Sequence, residues 1–266
     1  MSEPNKKFKI VTDTRARVIL PNTLTLIGVC IGLSSINFAL NQNYKLAIIA
    51  ILCAAIIDGL DGRIARLIKG TSKVGKELDS LTDVISFGVA PAFIMYFWSL
   101  SSLGKIGWLL SLIYVVCIAL RLARFNVNTG TDPSWRDNFF EGVPSPAGGI
   151  LVLSPLVYDV SGLNIVNLNY QIITPIIFIL ISILLISKIP TYSFKKIVVP
   201  RSTTIFLLFG IVLLFGLLLI FPFKVLVIGS AIYLLAIPLS ILHYQKFKKD
   251  FVRDNKINND EPEDFL

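Results

Sequence analysis

Four aspartates, Asp58, Asp61, Asp79 and Asp83, stand within the 26 residues DGLDGRIARLIKGTSKVGKELDSLTD, flanked by two apolar stretches each long enough to cross a bilayer. A carboxylate placed in a transmembrane helix costs about 2.5–3.5 kcal/mol on insertion scales, so four together point to chemistry. Asp58 and Asp61 are three residues apart, and Gly62 and Ala65 continue the same helix face at i+4 and i+7. Two carboxylates therefore project beside a strip with almost no side chain, where a bulky ligand can approach the backbone. On the next helix Gly75, Asp79 and Asp83 recur at i, i+4 and i+8, and Ser72, Thr82 and Ser86 widen that polar stripe. If the intervening residues reverse the chain, the two faces meet as antiparallel neighbours and all four carboxylates converge. An all-oxygen site of that kind suits Mg2+ or Mn2+, which commonly act in pairs on phosphoryl groups. The plainer alternative is two helix ends carrying solvated acids.

The elements that position these residues are membrane helices. The chain has 266 residues, of which 54% are hydrophobic and 16% charged, and its mean hydropathy is +0.73. This predicts an all-α, polytopic transmembrane bundle rather than a soluble domain. Eight spans are expected, near 19–40, 44–68, 78–98, 106–126, 146–161, 170–187, 203–221 and 224–243, with Pro222 and Phe223 forming a tight turn before the last. A basic juxtamembrane segment, 1–17, would precede the membrane domain of 18–243. A cytoplasmic tail, 244–266, would follow it, disordered over its acidic end. No cleavable signal peptide is evident at the start. Cys30, Cys53 and Cys117 all fall in apolar segments without metal-ligand spacing and read as buried small hydrophobes.

Charge sets the orientation. With a cytoplasmic N-terminus, 22 of the 25 Lys and Arg residues fall on the inside, leaving Lys45, Lys105 and Lys224 outside. Both termini and the aspartate cluster are then expected at the cytoplasmic face of a bacterial inner membrane. The same bias, with attraction to anionic headgroups, accounts for the net charge of +8, so no nucleic-acid partner is needed.

The pattern Asp58-x2-Asp61-Gly62-x2-Ala65-Arg66-x8-Gly75-x3-Asp79-x3-Asp83 resembles, without departure, the signature of the CDP-alcohol phosphatidyltransferase family. A second region, RLARFNVNTGTDPSWRDNFFEGVPSPAGG (121–149), sharpens the likeness. Arg121-Leu-Ala-Arg124-Phe-Asn126 followed by Gly142-Val-Pro144-Ser-Pro146 is similar to the phosphatidylserine synthase branch, as are Leu78–Leu81, Asp83–Pro91 and Pro21-Asn22-Thr23-Leu24-Thr25. The resemblance covers most of residues 15–200 and little of the last two spans.

That resemblance implies transfer of a phosphatidyl group from CDP-diacylglycerol to L-serine, with two Mg2+ or Mn2+ ions. Asp58, Asp61 and Asp79 would be metal ligands. Asp83 would serve as general base and would also be a ligand of a second ion. Gly62, Ala65 and Gly75 would leave room for the cytidine-ribose portion, with Arg66 bridging to a phosphate or an aspartate. Arg121, Arg124 and Asn126 would hold the acceptor or a phosphate. A homodimer among membrane lipids is also implied.

Several of these residues have simpler readings. Arg121 and Arg124, on one face with Asn128, are either snorkelling anchors or a guanidinium pair for an anionic group. Pro144 and Pro146 end a loop and open span five. Asn22 and Thr25 either touch the nucleotide or, more simply, cap the first helix. Lys195, Lys196 and Arg201 read as headgroup contacts, and His243 is given no chemistry. The same aspartates would serve another acceptor, such as glycerol 3-phosphate or inositol phosphate. A divalent-cation transporter is a third reading, but no acidic residue continues the pathway across spans two and three.

Overall fold

The structure is a computed structural model and describes residues 14–68, 70–127, 139–163, 165, 168–192 and 204–259. Helix α1 (Thr14–Leu40) packs along α2 (Tyr44–Leu67), and α3 (Lys73–Asp83) runs through a π-helical turn, Val84–Val89, into α4 (Ala90–Trp98). A 3-10 turn, Leu100–Leu103, leads to α5 (Lys105–Val127). Then follow β1 (Phe139–Glu141), α6 (Ser145–Val152), α7 (Ser154–Ser161), α8 (Tyr170–Ile186), β2 (Pro190–Tyr192), α9 (Thr204–Ile220) and α10 (Pro222–Asn259). The tail beyond 259, the first thirteen residues, Asn128, Lys195, Lys196 and Arg201 lie outside the described residues.

Among the described residues the fold is all-α apart from one short antiparallel pairing, in which Phe139 faces Tyr192 and Glu141 faces Pro190. Four helical stretches among the described residues are long and apolar enough to cross a membrane: Val18–Leu40, Lys73–Trp98, Lys105–Val127 and Pro222–Gln245. Helix α2 is as long as these, but Lys45, Asp58, Asp61, Arg63 and Arg66 put it outside a purely apolar pattern. The segment expected as a fifth span divides at Leu153, because Pro155 opens a new helix, α7, in its first turn. Pro144 is the N-cap of α6 and Pro146 lies in its first turn, as the sequence suggests. The final reversal is tighter than expected, with Phe221 alone separating α9 from α10.

Small residues hold the first helices together. Ala39, Ala47, Ile48, Ala50, Ile51 and Ala54 are buried along α1 and α2, where lipid cannot drive association and close packing must. A Cβ at Gly32 would collide with Ser86 Oγ, so α1 approaches the π turn through the bare glycine. In that turn Ser86, Phe87 and Gly88 are all buried. The Tyr114 hydroxyl, itself buried, donates to the Phe87 carbonyl at 2.8 Å, joining the turn to α5. Phe178 of α8 meets the Tyr114 ring at 5.5 Å and completes this layer. By contrast α9 exposes Ile205, Phe206, Leu208 and Phe209, the surface expected of a helix solvated by hydrocarbon. Cys117 is buried as expected. Cys30 and Cys53 are exposed instead, since both fall on outward faces of α1 and α2.

Candidate active site

The reversal between α2 and α3 is made by local hydrogen bonds. Ile68 N–H donates back to the Ile64 carbonyl, and Gly70 N–H to that of Ala65 at 2.8 Å, closing the end of α2. Ser72 then caps α3, its hydroxyl accepting from Gly75 N–H at 2.9 Å. The two polar faces are thereby turned towards each other. Carboxylate oxygens of Asp58, Asp61 and Asp79 all lie within 4.8 Å of one another. Asp83, one turn beyond Asp79, stands against Asp58 and Ser145 rather than in that three-way group. Its Oδ1 is buried and has no hydrogen-bond partner.

These groups fit a hard divalent cation on the evidence of the side chains themselves. Three acidic oxygens crowd together, and a fourth carboxylate beside them keeps a buried oxygen unsatisfied, which is costly without a cation or proton to meet it. Asp61 is 3% exposed, and the Thr25 hydroxyl donates to its Oδ2 at 2.6 Å. That contact reaches across 36 residues from α1 and holds the carboxylate's orientation. Thr25 is thus not a helix cap. Helix α1 begins at Thr14, so both Asn22 and Thr25 sit within it and face the site.

Two unlike regions flank the carboxylates. On one side a cleft of about 390 Å³ is lined by Asp61, Gly62, Ala65, Arg66, Gly75 and Asp79, with Pro21, Asn22, Thr25, Gly70, Thr71, Ser72 and Lys76 completing it. All four residues expected to receive the nucleotide therefore share one wall system. Gly62 has open space where a Cβ would stand, whereas at Gly75 that atom would meet Asn22 Oδ1 at 2.8 Å. The N-terminus of α3 opens here, and its backbone dipole, with Arg66 and Lys76, favours an anionic occupant. Gly75→Leu is expected to fill this cleft and raise the KM for the CDP-lipid by about tenfold or more. Initial rates against CDP-lipid concentration check this; an unchanged KM would contradict it.

On the other side the groups are buried and basic. Arg121 is 8% exposed; its Nη1 donates to Ser145 Oγ at 2.6 Å, and its charge lies near Asp83. Arg124 is employed differently, donating from Nη2 to the Ile186 carbonyl at 2.5 Å and so capping α8. The guanidinium pair expected from the sequence is divided between two tasks. Asn126 Nδ2 donates to Ser80 Oγ at 2.9 Å, linking the end of α5 to α3 beside Asp79. Ser145 was present in the Gly142–Pro146 element but carried no sign of its contact with Arg121.

A family model described as CDP-alcohol phosphatidyltransferase matches residues 18–242. The chain belongs to this family. Several relatives carry the name CDP-diacylglycerol–serine O-phosphatidyltransferase. The protein of Mycobacterium bovis is 34% identical over 230 residues, covering 84% of this chain and 78% of its own length. That of Helicobacter pylori strain 26695 is 37% identical over 179 residues, 67% of this chain and 74% of the relative. The match to the Mycobacterium leprae protein is 49% identical over 140 residues. It covers 52% of this chain but spans only 46% of that relative's length. The family match contains the aspartate cluster, the cleft and Arg121, and extends into α10.

Proposed function

We propose that this chain transfers the phosphatidyl group of CDP-diacylglycerol to the hydroxyl of L-serine, releasing phosphatidylserine and CMP. The observation that carries the reading is the position of the carboxylates between two compartments. Asp61 and Asp79 line an open cleft, while Asp83, which stands against Asp58, lies towards Arg121 and Ser145. A transferase that joins a nucleotide-activated donor to a small polar acceptor needs both on opposite sides of one reacting centre. Family membership supports the donor chemistry, and the names of the relatives support serine as acceptor.

In this reaction the serine oxygen attacks the lipid-side phosphorus. A new P–O bond forms, the bond from that phosphorus to the bridging oxygen breaks, and CMP departs with the electron pair. Asp83 takes the hydroxyl proton; its unpartnered Oδ1 is the atom assigned to receive it. Asp58, Asp61, Asp79 and Asp83 would hold two Mg2+ or Mn2+ ions, which when bound polarise phosphate oxygens and offset charge on the departing CMP. Gly62, Ala65 and Gly75 accommodate the cytidine and ribose, and Arg66 faces the diphosphate. Arg121 holds the serine carboxylate. One buried guanidinium suits that single charge better than the phosphate of a glycerol 3-phosphate acceptor.

The reading places eight spans in a bacterial inner membrane, with α2 and the α6–α7 pair joining the longer apolar helices. Both termini and the cluster lie on the cytoplasmic side, as the distribution of Lys and Arg supports. The membrane domain is 18–243, and the enzyme works as a homodimer with one site in each protomer.

Arg121 and Arg124 separate the roles experimentally. Arg121→Ala is expected to raise the KM for L-serine by about tenfold or more, leaving that for CDP-diacylglycerol within about twofold. Arg124→Ala is expected to lower the amount of folded protein instead, because it uncaps α8. Steady-state kinetics on detergent-purified variants check both; an unchanged serine KM in Arg121→Ala would refute its assignment.

A further inference from the structure

Helix α10 lies outside the stretch whose sequence pointed to function, yet it reaches the buried side of the site. It packs on β2 and against α6 and α7, and carries Tyr233 there. The Tyr233 hydroxyl is a buried atom without a well-formed hydrogen bond. Arg121 Nε and Asp83 Oδ1 are in the same state. Buried polar atoms are overwhelmingly paired in folded proteins, so three in one neighbourhood mark a place for a polar ligand.

Contacts tie the three together. Tyr233 and Arg121 are close enough for direct electrostatic interaction, and Arg121 stands in the same relation to Asp83. Ser145 bridges the latter two, accepting from Arg121 and lying against Asp83. The Tyr233 hydroxyl also adjoins Thr191 of β2, whose own proton is committed to the Gly142 carbonyl at 2.7 Å. Gly142, at φ +73°, turns the chain from β1 into α6, and a Cβ there would come within 2.9 Å of the Ser187 carbonyl. The small β1–β2 pairing is therefore the bracket that holds α10 beside Arg121 and Ser145.

We infer that Tyr233 is a specificity-determining residue for the acceptor. Its phenol and the Arg121 guanidinium together bind the acceptor's carboxylate, which directs the acceptor's hydroxyl to Asp83. A carboxylate has two oxygens to satisfy; the guanidinium serves one and the neutral phenol donor the other. A dianionic phosphate would be matched less well by one cation and one phenol. The inference rests on the serine-transfer reading given above.

Tyr233→Phe tests it, since only the hydroxyl is lost and the ring that fills the space remains. With purified enzyme, CDP-diacylglycerol and Mg2+ or Mn2+, the serine KM is expected to rise about tenfold, with kcat and the CDP-diacylglycerol KM within about twofold. L-Serine methyl ester, which lacks the carboxylate charge, supplies a readout independent of how much enzyme is folded. The preference for serine over the ester in kcat/KM is expected to narrow about tenfold in the variant. An unchanged serine KM and an unchanged preference would overturn the role of Tyr233. Failure of the transfer reading is distinguishable, because the unmodified protein would then form no product with serine.

Discussion

Asp83→Asn is expected to stop phosphatidyl transfer while CDP-lipid binding stays within about threefold of the unmodified protein. Asparagine keeps the shape of the side chain and its ability to accept from a neighbour, but it does not accept the serine proton. Positioned general bases contribute on the order of 10²–10⁴-fold, and the loss should fall in or beyond that range. The geometry separates the two effects. Asp83 stands against Asp58 and Ser145 and does not line the cleft assigned to the nucleotide. Kinetics of CMP release, with CDP-lipid binding measured on the same preparation, check it. Parallel loss of binding and turnover would refute the assignment of Asp83 as base.

Removing the divalent cation is expected to abolish turnover reversibly, and Asp61→Asn to impair it by about 100-fold or more. Asp61 is the informative ligand because it is the most buried of the four and is held by Thr25. Asparagine can still accept the Thr25 proton through its Oδ1, so helix α1 should remain packed while the charge offered to the cation is gone. Metal titrations of the unmodified and substituted enzymes should show chelator-sensitive activity restored by Mg2+ or Mn2+, with a higher requirement in Asp61→Asn. Full activity after chelation would contradict this account of the cluster.

Much of this arrangement was legible because helical spacing is local information. Asp58 with Asp61, and Gly75 with Asp79 and Asp83, share helix faces by arithmetic, whereas Ser72, read as part of the second stripe, proves to cap α3 at the reversal. The family signature added the cleft, and the four expected residues do line it. What escaped were contacts made across long separations. Thr25 stood out as a nucleotide contact or a cap, but its hydrogen bond to Asp61 from the middle of α1 has no local pattern. Arg124 resembles Arg121 in sequence, but the end of α8 at Ile186 gives it a different task. The π turn after Asp83 likewise has no local pattern, since the bare Gly32 and the Tyr114 hydroxyl that stabilise it belong to other helices. Periodicity finds faces, and the partners that meet them must come from tertiary structure.

The most direct test is product formation by the purified protein in mixed micelles with CDP-diacylglycerol and Mg2+ or Mn2+. L-Serine, glycerol 3-phosphate, inositol and inositol phosphate would be offered as acceptors, and the labelled lipid identified. The account predicts phosphatidylserine and CMP with serine alone, lost on chelation. Turnover with a phosphate-bearing acceptor and none with serine would contradict the role given to Arg121 and the acceptor reading built on it.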